Sequence, residues 1–171
     1  MKISYKNLLE NIKDKPDIKN ISDILFQLGH EHEIKKEIFD MEITPNRGDC
    51  LSLRGLLREL NLFYDVKINN NIYEKQIDKL KLNFTNNAQD FCPKISFLKV
   101  DIDHVPDIYS NQLESYFHDL DITKNNFFTD VSNYVSYETG QPTHCYKYSL
   151  FENEIILDTL KSEHKFKTLL N

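Results

Sequence analysis

The side chains able to do chemistry in this chain fall into three groups. His144 follows Gly140-Gln141-Pro142 and precedes Cys145. An imidazole both donates and accepts near neutral pH, so His144 can bind a polar ligand or position a water. Bonding a backbone carbonyl of its own loop is the other reading of the same residue. Cys145 beside it makes no catalytic dyad, because consecutive side chains rarely point at one another. The second group is Arg47, Arg54 and Arg58, all the arginines of the chain, held in one short segment. Arg54 and Arg58 are four apart and share a helix face, which suits phosphate contacts or ion pairs with acidic neighbours such as Glu59. The third is His30-x-His32 with Glu31 and Glu33. No third ligand follows at a strong spacing, so no metal site is expected.

These groups sit in a chain of 171 residues and 20.3 kDa, 40% hydrophobic and 28% charged. That length buries roughly 70% of the unfolded surface without staples. The formal charge of −6 offers no basic field for nonspecific nucleic-acid binding, so any RNA contact is local or shared with a partner. No apolar run approaches the ~18 residues of a membrane span, and the polar first thirty positions lack the core of a secretory signal, so a cytoplasmic chain without membrane contact is expected. Cys50, Cys92 and Cys145 are odd in number without a CxxC pair, so reduced thiols are expected.

Helical spacing predicts the elements that must position these groups. Tyr5, Leu8, Leu9 and Ile12 share one face behind Ser4 as cap, and Ile21, Ile24, Leu25 and Leu28 share another from Asn20 to Gly29. Residues 34–44 read as one strand of imperfect alternation, ended by a turn over 44–49. Leu53, Leu56, Leu57, Leu60 and Tyr64 form the longest helical stripe, with Asp49 as its cap. Gly55 within that helix marks either close approach of another backbone or simple tolerance. A boundary is placed in the Asn-, Lys- and Asp-rich stretch that follows, where Val66, Ile68, Ile72, Leu80, Leu82 and Phe84 alternate. Beyond it, residues 95–102 read as a strand, Leu113, Tyr116, Phe117 and Leu120 as a helix behind Ser110, and residues 125–140 as a helix capped by Asp130 and closed by Gly140. Ile155, Ile156 and Leu157 give a last short strand.

Two stretches carry a family resemblance. "EITPNRGDCLSLRGLLREL", from Glu42 to Leu60, resembles the segment ending the N-terminal domain of bacterial phenylalanyl-tRNA synthetase beta subunits. "NFFTDVSNYVSYETGQPTHCY", from Asn126 to Tyr146, resembles the start of their editing domain, and "FKTLL" near the end fits its next strand. "MKISYKNLLENI" and "DILFQLGHEHEI" are similar to the family's first two helices. Three departures stand out. The OB-fold tRNA-binding insertion of typical members is missing between Ile34 and Pro45. Lys147 stands where an acidic residue is usual, and Cys145 where alanine is common. The family subunit continues through further domains, so this chain is expected to be an amino-terminal fragment or a severely reduced relative.

The resemblance implies an α+β fold in two parts: a small helical domain with a short strand over 1–68, and an incomplete editing-type domain over 69–171. It places Ser132, Asn133, Pro142 and His144 in the wall of a pocket that hydrolyses tyrosine misattached to phenylalanine tRNA. A pocket that hydrogen-bonds the phenolic hydroxyl selects tyrosine over phenylalanine far better than an apolar slot does. It also implies a partner alpha subunit, tRNA as substrate, and ATP and magnesium used by the assembly, with no cofactor bound by this chain. Arg47, Arg54 and Arg58 are the candidates for RNA contact. A noncatalytic RNA-binding or assembly module is the alternative. A freestanding deacylase is a third reading, and it needs an acidic residue from Glu138, Glu152 or Glu154 near His144.

Overall fold

The computed structural model describes residues 1–67, 78–151 and 154–165. They form two compact units, 1–74 with 104–145, and 75–103 with 146–171. The sequence reading divides the chain at residue 68 instead. That residue, Ile68, lies outside the described ones, as do Ile72 and the FKTLL segment.

Unit 1 opens with β1 (Lys2–Ser4), which runs directly into α1 (Tyr5–Asn11). After α2 (Ile18–Gln27) the chain forms β2 (Glu31–Lys35) and β3 (Ile38–Glu42). The three strands make an antiparallel sheet in the order β1-β3-β2, with Ile3 opposite Phe39 and Ile34 opposite Phe39 on the other side. The single strand expected over 34–44 is therefore a hairpin. Its two turn residues, Lys36 and Glu37, both have positive φ, at 49° and 64°. That is the geometry of the two-residue turn that matches strand twist, normally signalled by Asn-Gly. Lys-Glu carries no such signal, which is why the alternation reads as one imperfect strand. The same hairpin leaves no inserted module between Ile34 and Pro45.

Helix N-termini also differ from the reading, by three or four residues, for a common reason. The helix α2 begins earlier than the stripe read from Asn20, because Asp17 caps it by accepting from the Asn20 N–H at 2.8 Å. Ser52, not Asp49, caps α3 (Leu53–Leu60), accepting from the Gly55 N–H at 2.9 Å. Asn126, not Asp130, caps α5 (Phe127–Thr139). In the last two cases the acidic side chain is used elsewhere, so a neighbouring polar residue takes the orphan N–H groups. Ser4 does stand at the start of α1, but its side chain makes no capping bond. Gly140 closes α5 in the left-handed conformation at φ 76°, as expected of a C-terminal glycine.

The first core gathers Ile3, Leu8, Ile12, Ile21, Leu25, Phe39, Cys50, Leu56 and Leu60, each fully buried. The second packs α4 (Asn111–Leu120), through Leu113, Tyr116, Phe117 and Leu120, against Val131, Tyr134 and Tyr137 of α5. Tyr137 packs on both cores, and Asn7 of α1 donates to its hydroxyl at 3.2 Å. Residues 104–145 thereby fold as part of the amino-terminal unit.

Unit 2 contains β4 (Phe84–Asn86) paired in parallel with β5 (Ile155–Leu157). Thr85 donates to Glu154 at 2.6 Å and Asn87 to Asp158 at 3.3 Å, fixing the pair at its edges. The expected strand at β5 forms. The one expected over residues 95–102 does not, because its backbone finds no ladder partner among the described residues, and Leu98 and Val100 remain 69% and 62% exposed. Phe97 instead meets the Phe84 ring edge-on. Among the described residues no helix is long and apolar enough to cross a membrane.

Gly55 settles its own two readings. A Cβ there would lie 2.1 Å from the Asp49 carbonyl oxygen and 2.9 Å from Cys50 Cα, so α3 sits directly on the backbone of the preceding turn. Gly55→Ala is expected to cost about 2–3 kcal/mol in denaturant unfolding, since the clash is with backbone and cannot be relieved by a rotamer. A loss under about 0.5 kcal/mol would contradict that packing.

Candidate functional site

Two neighbouring parts of unit 1 hold the residues singled out by their chemistry. One is the 3-10 turn Pro45–Cys50 with α3, and the other is α5 with the loop after it. In the turn, Arg47 bridges three groups. Its Nε donates to Asp49 Oδ1 at 3.1 Å, and its Nη2 reaches Asp49 Oδ2 at 3.2 Å, Glu59 Oε2 at 2.9 Å and Cys50 Sγ at 2.9 Å. Arg58 donates to the same Asp49 carboxylate, at Oδ2, and approaches Glu59 at 3.4 Å. The Arg47 hydrogen bonds hold the Asp49 carboxyl down to about 2. Hydrogen bonds from Arg47 likewise lower Glu59. Arg54 pairs with Glu138 of α5 at 3.2 Å. All three arginines are thus engaged by carboxylates of their own chain, the ion-pair use that the acidic neighbours suggested.

His30 lies behind this network. It follows Gly29, whose φ of 84° turns the chain out of α2, and it is 2% exposed. Burial lowers its pKa, with the Arg47 charge adding to the effect. Burial also raises the Cys50 thiol. A ring nitrogen of His30, Sγ of Cys50 and a Glu59 oxygen lie within 4.8 Å of one another. His32 is not part of this group. It hydrogen-bonds Ser22 Oγ at 2.8 Å and stacks on Phe26, so the two members of the His-x-His pair serve separate environments. The sequence gives Cys50 and Glu59 no visible link to His30, because only the hairpin and the turn bring them together.

At α5 the structure organises around a residue read only as a cap. Asp130 is fully buried, accepting from the Tyr109 hydroxyl at 2.7 Å and from the Asn125 N–H at 3.0 and 3.1 Å. This pins the first turn of α5 to the segment before α4. Tyr109 is pushed up to about 12, first by its hydrogen bond to Asp130 and then by burial. Tyr134 and Tyr137 are also raised to about 12, mainly by burial.

Ser132 and Asn133 lie on α5, one turn and more past its start. The loop after Gly140 folds back along the helix. Ser136 Oγ donates to the Gln141 carbonyl at 3.1 Å, and Ser132 Oγ lies 3.4 Å from Cys145 Sγ. Ser132 and the end of the loop carrying His144 are therefore adjacent. Pro142, His144 and Asn133 are exposed, and His144 makes no hydrogen bond among the described residues, so the carbonyl bond considered for it does not form. The concavity beside α5, about 360 Å³, is lined by Pro106, Ser110, Gln112, Leu113, Phe127, Val131 and Tyr134. A second, of about 570 Å³ in unit 2, is lined by Lys79, Lys81, Tyr148, Phe151 and their neighbours. Neither contains Ser132, Asn133, Pro142 or His144. Of the acids a deacylase would need, Glu138 is paired with Arg54, Glu154 bonds Thr85 in unit 2, and Glu152 lies outside the described residues.

Residues 108–171 match the B3/4 domain family. Over 146 residues the chain is 30% identical to the phenylalanine–tRNA ligase beta subunit of Psychrobacter arcticus, covering 81% of this chain and 18% of that protein. The chain is homologous to part of the phenylalanine–tRNA ligase beta subunit. The Bdellovibrio bacteriovorus subunit is 32% identical over 139 residues, and that of Fusobacterium nucleatum 26% identical over 140, each match spanning 77% of this chain and 17% of the relative. The chain thus spans less than a fifth of the length of these beta subunits. No solved structure matches it.

The phenols supply a test of the α5 setting. Their folded pKa of about 12 stands above the unfolded value of about 10, so the stability they contribute is whole below pH 10 and is lost as pH rises from there through 12. Phenolate absorbance during alkaline titration should show three of the nine tyrosines ionising last, together with loss of helical signal. Asp130→Asn should bring Tyr109 back toward 10. All nine ionising together near pH 10 with the helices intact would contradict it.

Proposed function

We propose that this chain serves as part of a phenylalanine–tRNA ligase beta subunit, supporting the ATP-dependent charging of tRNA with phenylalanine beside an alpha subunit. Homology over four-fifths of the chain to proteins of that name carries the reading. In it, the exposed edge of α5 and the loop through His144 contribute one wall of the pocket that proofreads Tyr-tRNA. Asn133, Pro142 and His144 are exposed there, where they can meet tRNA or an opposing wall, and half-buried Ser132 lies beside them against Cys145. The opposing wall and its acidic residue would come from elsewhere in the assembly, as would the sites for ATP and magnesium. Arg54 and Arg58, 41% and 52% exposed, retain N–H groups for phosphate contact at the edge of their ion pairs.

One observation favours the alternative of a noncatalytic RNA-binding or assembly module: the candidate residues line neither concavity among the described residues. Both readings predict binding without hydrolysis by the isolated chain. Incubated with Tyr-tRNA for phenylalanine, the chain should leave the ester lifetime unchanged while retaining the tRNA or the alpha subunit in a pull-down. Restoring hydrolysis by adding the remainder of a beta subunit, and losing it on His144→Ala, selects the proofreading role over the module. Rapid tyrosine release by the chain alone, abolished by His144→Ala, would make it a freestanding deacylase, and binding of neither partner would overturn both readings.

A further inference from the structure

We propose that His30, Cys50 and Glu59 form a site for a divalent ion of the zinc class inside unit 1. The three come from different elements: the end of the α2 exit, the 3-10 turn, and the last part of α3. Their ligand atoms already lie within 4.8 Å of one another. A tetrahedral zinc with bonds of about 2.0–2.3 Å needs them about 3.5 Å apart, so closure requires shifts of about an ångström.

His30 gives the observation that points to a ligand rather than to packing alone. The residue is 2% exposed, and its Nε2 is buried with no hydrogen-bond partner among the described residues. An orphaned ring nitrogen in a core carries an uncompensated desolvation cost unless something meets it. A ring nitrogen of this imidazole lies within 4.8 Å of the Cys50 thiol and of a Glu59 oxygen. Nitrogen, sulfur and oxygen together suit a borderline-soft ion such as zinc and do not suit calcium or magnesium, which take oxygen.

The surroundings suit a bound ion. Arg47 donates to Cys50 Sγ and to Glu59 Oε2, both at 2.9 Å, and these N–H groups can remain on a metal-bound thiolate and carboxylate as outer partners. Arg47 is itself held by Asp49, so it need not leave when the ligands close. The charges allow it. Two carboxylates, Asp49 and Glu59, face two guanidinium groups, Arg47 and Arg58, and binding exchanges the Cys50 thiol proton, released to solvent, for the dication. Glu59, with its side chain 18% exposed, marks the way in, and a water would complete the fourth position. The expectation of no metal rested on His30 and His32 as a pair, and His32 is committed to Ser22.

The test uses the full chain carrying Cys92→Ser and Cys145→Ser, so that Cys50 is the single thiol, with Co²⁺ as the probe. The expected result is one equivalent of cobalt bound, a thiolate-to-cobalt charge-transfer band with the visible bands of four-coordination, and displacement of both by Zn²⁺. Cys50→Ala should remove the charge-transfer band, and His30→Gln should abolish saturable binding. His32→Ala should leave the spectrum unchanged. Circular dichroism confirms that each variant is folded, and if His30→Gln is not, Glu59→Gln should weaken cobalt binding at least about tenfold. A folded parent chain that gives no charge-transfer band, with Arg47 keeping the cluster closed, would overturn the proposal. So would a band that survives His30→Gln. Neither result depends on tRNA or an alpha subunit, so the outcome is separable from that of the proposed function.

Discussion

The amino-terminal unit depends on the seating of α3 against the backbone of the turn that precedes it. Gly55 admits the Asp49 carbonyl where any Cβ would clash, and Ser52 caps the helix at the same point. That approach brings Arg58 and Glu59 of the helix over Arg47 and Asp49 of the turn. Exposed ion pairs are individually worth little, but four charges sharing one bidentate arginine define a geometry as well as an energy. The leucine stripe of α3 and Cys50 then complete the first core beneath them.

The setting of α5 follows from the same seating. Arg54 on α3 pairs with Glu138, and Gly140 at the end of α5 lies so close to Ser52 that a Cβ there would be 3.3 Å from the Ser52 Cβ. Tyr137 bridges the two cores, while buried Asp130 ties the other end of the helix to Tyr109 and Asn125. The helix is held along its inner face and at both ends. Its outer edge, with Asn133 and the returning loop, is left to solvent.

What could be read from the sequence follows from how local its cause is. The stripes of α1, α3 and α4, the glycine closures of α2 and α5, and the apolar β5 all depend on neighbours within a few residues. The hairpin of β2 and β3 was hidden by Lys36 and Glu37, which take positive φ without the usual residue types. β1 and β4 are three residues each, too short for any periodicity, and exist through their partners. Among site residues, the arginines were legible as ion-pair formers because Glu59 is adjacent in sequence. Asp130 and His30 were not, because a buried carboxylate and a buried imidazole look like a cap and a surface pair until distant segments close over them. The two long motifs marked the family because each is a continuous stretch that needs no tertiary information to compare.

The account stands on residues 104–145 folding cooperatively with the amino-terminal elements through α3. Native-state hydrogen exchange of the full chain tests this most directly, by comparing the opening free energies of amides in α3, such as Leu56 and Leu57, with those in α5, such as Tyr134 and Val135. The account predicts that both sets open together, at the free energy of unfolding the unit. Exchange of α5 through a separate opening of much lower free energy, with α3 still protected, would contradict it.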